Sequence, residues 1–165
     1  ASLVVINRRN KTEKDNGIFK FASVGEKPQD LKFNDEPTGR EVGERNTSRE
    51  YVTLHRGTPT GGNVTKIGND NLFMASSHVA HDCIVGNHVI LANATALAGH
   101  VVIDDHAILG GYTTVQQFTR IGAHAFTGFS TAIDSDVLPF FIVARNRARS
   151  IGITDEVLHR RDVFG

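Results

Sequence analysis

The chain has 165 residues, of which 18 are basic and 18 acidic, so its formal net charge is zero. Balanced charge argues against nucleic acid or an anionic membrane as a main partner. No apolar run approaches the roughly 20 residues of a membrane span and no signal peptide is visible, so no integral membrane segment is expected. The one cysteine, Cys83, excludes a disulfide framework and a cysteine metal cage, which favours a reducing, cytoplasmic location.

A weak six-residue repeat begins near the N-terminus, with LVVINR from Leu3 and IFKFAS from Ile18. Residues 26–41 interrupt the period and are interpreted as a loop excursion. Hexads resume at Val42, and a second excursion is expected at residues 57–66. Loops that leave a regular repeat often carry function, so both are candidates for site residues.

From Ile67 to Leu138 the six-residue period is unbroken and gives twelve hexads. The first position is Ile, Leu, Val or Phe in eleven of them, and the fifth is small or β-branched in eleven. Neither a helix nor a simple strand keeps such a period on one face, whereas short strands coiled into a solenoid do. The sequence therefore predicts an all-β fold, a parallel β-helix whose residues stack eighteen apart, with small second-position residues at its corners.

The end of the solenoid is expected near Pro139, with a β-helix domain over residues 1–150. Acidic residues early and basic residues late between Thr154 and Phe164 follow the charge order of a helix, so residues 151–165 are interpreted as the start of a helical region. The chain opens at Ala1, without Met, in what reads as the middle of a repeat. That start is expected of a cropped or engineered piece.

Six of the eight histidines lie inside the regular hexads. Three of them share the fourth position eighteen apart, so they should form one vertical ladder along a solvated or subunit-facing stripe: His88, His106 and His124. His81 differs because Asp82 follows it and can orient the imidazole as a general base. Judged on its own, a surface histidine with a chance acidic neighbour is the more common interpretation of such a pair, and the sequence context described next reverses it.

Six segments carry a resemblance to a known family, and they are FASVGEKPQDLK (21–32), EPTGREVGERN (36–46), VTLHRGT (52–58), SSHVAHDCIVGN (76–87), LANATALAGHV (91–101) and LGGYTT (109–114). The chain resembles the UDP-N-acetylglucosamine O-acyltransferases, which carry out the first step of lipid A synthesis. The likeness runs from about Leu3 to Arg161. The QDLK loop, the HVAHD segment and the Arg160-Arg161 pair are its most specific parts.

The resemblance implies a left-handed β-helix that assembles as a homotrimer with active sites in the grooves between subunits. The reaction it implies moves a 3-hydroxyacyl group from acyl carrier protein to the 3-hydroxyl of UDP-N-acetylglucosamine, with no cofactor. His81 matches the general base, Asp82 its partner, and Gly99 the residue whose backbone N–H stabilises the oxyanion. The repeat register independently stacks Gly99 one coil from His81. Cys83 is not a credible nucleophile because its position points inward.

Further residues carry over by motif. Those implied to bind substrate are Gln29, Asp30, Lys32, His55, His78, His100, Gln117, Glu156, Arg160 and Arg161. Those implied along the acyl groove are Asn93, Gly111, Phe129 and Arg147. Many members have a small residue where this chain has Phe129, so a shorter acyl donor is expected.

Three departures keep other interpretations open. Gln116 stands where the family usually has His, and Thr154 stands where it commonly has Asn. The N-terminal coils and most of the C-terminal helical domain are expected to be missing. A catalytically weakened or inactive scaffold of the same family is one alternative. A γ-type carbonic anhydrase with three histidines on zinc is another, although its pair of histidines five apart is lacking and Gln117 occupies a possible ligand position.

Overall fold

The computed structural model of the chain describes residues 5–6, 10–144 and 149–153. Within these residues the chain forms 21 short strands in three sheets, together with one 3-10 turn at Pro59–Gly61. Among them, no helix has the length and apolar character needed to cross a membrane.

The three sheets are the three faces of a coil, and each gains one strand per turn. The strands of the first sheet are all parallel and lie in the order β1 (Val5–Ile6), β4 (Ser23–Glu26), β7 (Thr53–His55), β10 (His78–Val79), β13 (Ala96–Leu97), β16 (Thr114–Val115) and β19 (Ala132–Ile133). The second sheet, also parallel, contains β2 (Asn10–Thr12), β5 (Gly39–Val42), β8 (Val64–Ile67), β11 (Ile84–Val85), β14 (Val102–Ile103) and β17 (Arg120–Ile121). The third contains β3 (Gly17–Ile18), β6 (Thr47–Ser48), β9 (Leu72–Phe73), β12 (Ile90–Leu91), β15 (Ile108–Leu109), β18 (Phe126–Thr127), β20 (Phe141–Ala144) and β21 (Arg149–Ile153), of which only β21 pairs antiparallel.

The register confirms the predicted stacking. His78 pairs with Ala96 in one sheet, Ile84 with Val102 in the next and Ile90 with Ile108 in the third, and each pair is eighteen residues apart. Backbone N–H groups of one coil donate to carbonyls of the next, as from Ala96 to Thr113 at 2.9 Å. The molecule is a parallel β-helix with three strands per turn.

The interior is formed by the first and fifth positions of the hexads, as predicted. Leu91 and Leu97 at first positions, and Cys83 and Val89 at fifth positions, are fully buried. The Cys83 thiol donates to the carbonyl of Ala98 at 3.1 Å, and burial raises its pKa to about 12. A protonated, buried thiol cannot act as a nucleophile, which agrees with the inward position expected for Cys83.

The corners differ from the expectation. From Asp70 to Ser130 every fourth-position residue has a left-handed φ of 55–63°, so the sharp turn falls at the fourth position rather than the second. The second position is small for another reason, because the neighbouring coil lies against it. A Cβ on Gly110 would lie 2.6 Å from the carbonyl oxygen of Thr127 one coil away, inside van der Waals contact.

Both excursions are present and leave the same face of the coil. The first runs between Glu26 and Gly39 and is shorter than predicted because both flanking strands extend into it. The second runs between His55 and Val64, so it begins one residue earlier than predicted and ends earlier because β8 extends into it. Each follows a strand of the first sheet and precedes a strand of the second sheet. The two excursions therefore lie on the same edge of the solenoid, between the first and second sheets.

The solenoid continues beyond Pro139, where it was expected to stop. Phe140 takes a left-handed φ of 65° and turns the corner, so β20 adds to the third sheet with Ile142 opposite Phe126. β21 then folds back antiparallel on β20, and the boundary expected after residue 150 falls within β21. The helix expected between Thr154 and Phe164 lies outside the described residues.

Candidate active site

His81 and Asp82, called the dyad below, meet at a corner of the coil. In an extended strand consecutive side chains point to opposite faces, but Asp82 has a left-handed φ of 60°, which lets the two side chains converge. Nδ1 of His81 lies 2.8 Å from Oδ2 of Asp82. The histidine side chain is 10% exposed and the carboxylate is fully buried.

The second excursion also binds the Asp82 carboxylate. The backbone N–H of Thr58 donates to Oδ1 of Asp82 at 2.8 Å, and the Thr58 hydroxyl donates to Oδ2 at 2.6 Å. The backbone N–H of Asp82 donates to the hydroxyl of Thr65 at 2.8 Å. Neither threonine was identified from the sequence. The one available signal was that both lie in the predicted second excursion, where the hexad period is broken.

The dyad fixes which histidine nitrogen is free. A carboxylate accepts hydrogen bonds, so a neutral His81 carries its proton on Nδ1 and leaves the lone pair of Nε2 available. Gly99 lies directly under this edge of the ring, because a Cβ built there would be 2.5 Å from Cε1 and 2.7 Å from Nε2 of His81. The predicted stacking of Gly99 one coil from His81 is therefore confirmed. The absence of a side chain at residue 99 keeps Nε2 unobstructed.

Two adjoining clefts of 580 and 440 Å³ open onto His81, and Gln29 and Gln117 line both of them as well. The first excursion forms one wall, since Asp30 and Lys32 line the larger cleft. Eight of the residues singled out in the sequence line one or both clefts: Gln29, Asp30, Lys32, His78, His81, Gly99, His100 and Gln117. Thr60, Phe118 and the variant position Gln116 line them as well.

His55 lies behind His78, away from the open cleft. Their rings are perpendicular with centroids 5.0 Å apart, and His78 Nδ1 shares a 2.6 Å hydrogen bond with the Thr53 hydroxyl. His55 is 4% exposed, and its Nδ1 has no hydrogen-bond partner. Burial, followed by the neighbouring His78 and His81, lowers the pKa of His55 from 6.5 to about 4.

This buried histidine predicts a loss of stability in acid. The unfolded chain protonates His55 near pH 6.5, whereas the folded chain keeps it neutral down to about pH 4, so stability falls as the pH falls through that window. Well inside this window the loss is about 1.4 kcal/mol per pH unit, and about 3 kcal/mol in all. Burial also lowers the pKa of His78, which adds to the loss in the same direction.

Urea unfolding at pH 7 and pH 5 measures this effect. His55→Gln removes the titrating group and should shrink the difference between the two pH values, while His88→Gln at an exposed corner should leave it in place. A pH dependence that is equal in wild type and His55→Gln would contradict the assignment.

Three of the residues assigned to the acyl groove, Asn93, Gly111 and Phe129, form the predicted column. A Cβ on Gly111 would lie 3.3 Å from the carbonyl oxygen of Asn93 and 3.5 Å from Cδ2 of Phe129. The Phe129 ring is 72% exposed and lies edge-to-face with Tyr112 at 5.5 Å. Phe129 therefore covers the open side of Gly111 from the next coil.

The histidine ladder is a separate feature on another corner. The rings of His88 and His106 stack at 4.8 Å, those of His106 and His124 at 4.7 Å, and Phe140 continues the stack at 4.9 Å. The ladder expected from the eighteen-residue spacing is confirmed.

One set of potential metal ligands is found among the residues with described side chains, and it consists of His81, Asp82 and His100. His100 Nε2 lies 3.8 Å from Oδ2 of Asp82. Two histidines and a carboxylate are not the three-histidine set of the carbonic anhydrase alternative. Arg147, Thr154, Glu156, Arg160 and Arg161 lie outside the described residues.

Comparison with known proteins identifies relatives along the whole chain. The family described as bacterial transferase hexapeptide (six repeats) matches residues 65–99. LpxA from Acinetobacter baumannii is 43% identical, with a TM-score of 0.94 over 96% of this chain and 62% of that one. The UDP-N-acetylglucosamine O-acyltransferase of Moraxella catarrhalis is 41% identical, with a TM-score of 0.93 over 96% of this chain and 62% of that one.

The UDP-N-acetylglucosamine acyltransferase of Francisella novicida is 31% identical, with a TM-score of 0.90 over 98% of this chain and 73% of that one. This chain belongs to the same family. Its fold is the left-handed parallel β-helix of these acyltransferases. The chain spans 62% of the length of the Acinetobacter and Moraxella relatives. Membership of the family argues against the carbonic anhydrase alternative.

Proposed function

We propose that this chain transfers a 3-hydroxyacyl group from acyl carrier protein to the 3-hydroxyl of UDP-N-acetylglucosamine, in the first step of lipid A synthesis. The observation that carries the proposal is the dyad at the clefts, with Nε2 of His81 free above Gly99. Family membership supplies the substrates. We propose a cytoplasmic location, where the protein would encounter both substrates.

His81 acts as the general base in this proposal. Its Nε2 takes the proton of the sugar hydroxyl while that oxygen bonds to the carbonyl carbon of the thioester. Electron density moves to the carbonyl oxygen, where the backbone N–H of Gly99 stabilises it. When the carbonyl re-forms, the C–S bond breaks and protonated His81 returns the proton to the leaving thiolate. Asp82 stabilises the imidazolium between the two proton transfers.

The walls of the clefts suit the two substrates. Asp30 and Lys32, on the first excursion, offer a carboxylate and an ammonium for sugar hydroxyls and phosphate. His78, His100 and Gln117 line the clefts and are proposed to contact the sugar and the arm of the donor. The ring of His55 packs against His78. Three further residues are proposed to bind the nucleotide: Glu156, Arg160 and Arg161. Arg147 is proposed to lie along the acyl groove. We propose a homotrimer, in which the dyad faces a groove shared with a neighbouring copy.

A direct assay tests the function. Protein whose trimeric mass has been established in solution is incubated with a 3-hydroxyacyl carrier protein and UDP-N-acetylglucosamine, and the acylated sugar nucleotide is measured by mass spectrometry. Product that depends on both substrates supports the proposal. Complete absence of product from a well-folded trimer would favour the inactive scaffold, for which Gln116 at the cleft is the specific observation.

Phe129 predicts the length of the acyl chain. Coils are spaced by about 4.8 Å, so a ring that fills one coil of the groove removes room for roughly three to four methylenes. We expect wild type to prefer donors of about ten or twelve carbons over fourteen, and Phe129→Gly to lengthen the preference by about that amount. Competition between donors of different length measures it. Phe21→Gly removes another exposed ring, several coils away, and should leave the preference among donors unchanged. An unchanged preference in Phe129→Gly would show that Phe129 does not set the length of the acyl chain.

A further inference from the structure

The second excursion encloses the dyad carboxylate. Residues 56–63 leave the coil after β7 and return at β8, and their 3-10 turn is Pro59–Gly61. A Cβ on Gly57 would lie 2.7 Å from Oδ1 of Asp82, and a Cβ on Gly61 would overlap the carboxylate itself. The loop is thus in direct contact with a carboxylate that is fully shielded from solvent.

Thr58 supplies two of the three donors to this carboxylate. Its backbone N–H binds Oδ1 and its hydroxyl binds Oδ2, while the third donor is Nδ1 of His81. Hydrogen bonds to an ionised group are the strong ones, and Thr58 donates one to each of the two carboxylate oxygens. They hold the plane of the carboxylate in one orientation.

The orientation of the Asp82 carboxylate matters because His100 is a second possible donor to it. Nε2 of His100 lies 3.8 Å from the same Oδ2 that His81 contacts at 2.8 Å. The torsion that rotates a carboxylate is broad, so Asp82 without Thr58 could turn toward His100. His81 would then lose the partner that keeps its proton on Nδ1.

We propose that Thr58 is a positioning residue, which directs Asp82 to His81 rather than to His100 and so holds His81 in the tautomer with a free Nε2. The proposal rests on the proposed role of His81 as general base. Thr58 touches neither substrate in this role. It acts on the reaction only through Asp82.

The test combines kinetics with a spectroscopic signature. Thr58→Val keeps the shape of the side chain and removes the hydroxyl, so kcat should fall about tenfold to hundredfold, the worth of one charge-assisted hydrogen bond, while KM changes less than about threefold. The ¹⁵N shifts of His81 should show the proton moving from Nδ1 toward Nε2. Thr58→Ser restores the hydroxyl and should restore both readouts.

Controls separate positioning from stability. Thr131→Val removes another buried hydroxyl, which donates to the carbonyl of Gly128 at 2.8 Å, and should cost stability without changing the tautomer. Thr58→Ala serves the same purpose as Thr58→Val should the valine variant not fold. An unchanged His81 tautomer in the folded variant would overturn the role of Thr58. A shifted tautomer with wild-type turnover would instead overturn the role of His81 as base.

Discussion

His81→Ala is expected to lower kcat for acyl transfer by about a hundredfold to ten-thousandfold, the usual contribution of a positioned general base. The side chain lines the clefts and does not belong to the axial hydrophobic core, so the coil should keep its fold. Removing the ring leaves Asp82 with the two donors of Thr58, which limits the loss of stability to roughly 1–3 kcal/mol. Steady-state kinetics together with a circular dichroism melt measure both quantities.

A matched control is available at another corner. His88→Ala removes an exposed histidine that lines neither cleft, and it should leave kcat unchanged. His81→Asn provides a second comparison, because it can keep an N–H near Asp82 and still lacks the basic nitrogen. Near-normal turnover in folded His81→Ala would refute the mechanism.

Gly99→Ala is expected to reduce kcat by about a hundredfold or more, although it adds one methyl group. That methyl would lie 2.5 Å from Cε1 and 2.7 Å from Nε2 of His81, so the ring must move off its position over residue 99. Movement of the ring breaks the alignment of both ring nitrogens, and misplacement on this scale costs about a hundredfold. Alanine keeps the backbone N–H proposed to stabilise the oxyanion. The decrease in kcat would therefore be due to the displaced ring of His81.

The fold should tolerate this change, since the backbone of Gly99 is not in the left-handed region that disfavours alanine. Thermal melts and kcat on the same preparation check the separation of activity from stability. Gly17→Ala, whose added Cβ would find its nearest neighbour at 3.9 Å, is the control for a glycine with room. Activity of Gly99→Ala within a few-fold of wild type would mean that His81 does not work in the observed orientation.

The repeat determined most of the architecture because one rule applies to every coil. The six-residue spacing of apolar residues fixed the inward positions, and the eighteen-residue turn placed Gly99 under His81 and aligned the histidine ladder. These are local and periodic quantities, and a single sequence contains them. The spacing gave a wrong prediction for the corners, which it placed at the second position of each hexad. It does not distinguish a small residue at a turn from a small residue in close contact with the neighbouring coil.

The continuation past Pro139 shows a second limit. A proline at the end of a regular run is a reasonable stop signal, yet Phe140 turns the corner and β20 joins the third sheet. Whether the chain continues depends on the hydrogen bonds that β18 offers to the next strand. The apolar run Phe141–Ala144 is compatible with a strand, but its pairing with β18 is a property of the assembled sheet.

For the site, the sequence by itself determined the pair at 81–82, the glycine below it and the excursion that brings Gln29 to the cleft. Only the tertiary structure decided what surrounds them. Thr58 is 24 residues from Asp82 and lies in a segment without the repeat, so its contact with the carboxylate depends on how the loop closes over the coil. Residues related by the period can be placed by counting, whereas residues in an aperiodic loop find their partners through packing, and packing is a property of the folded chain.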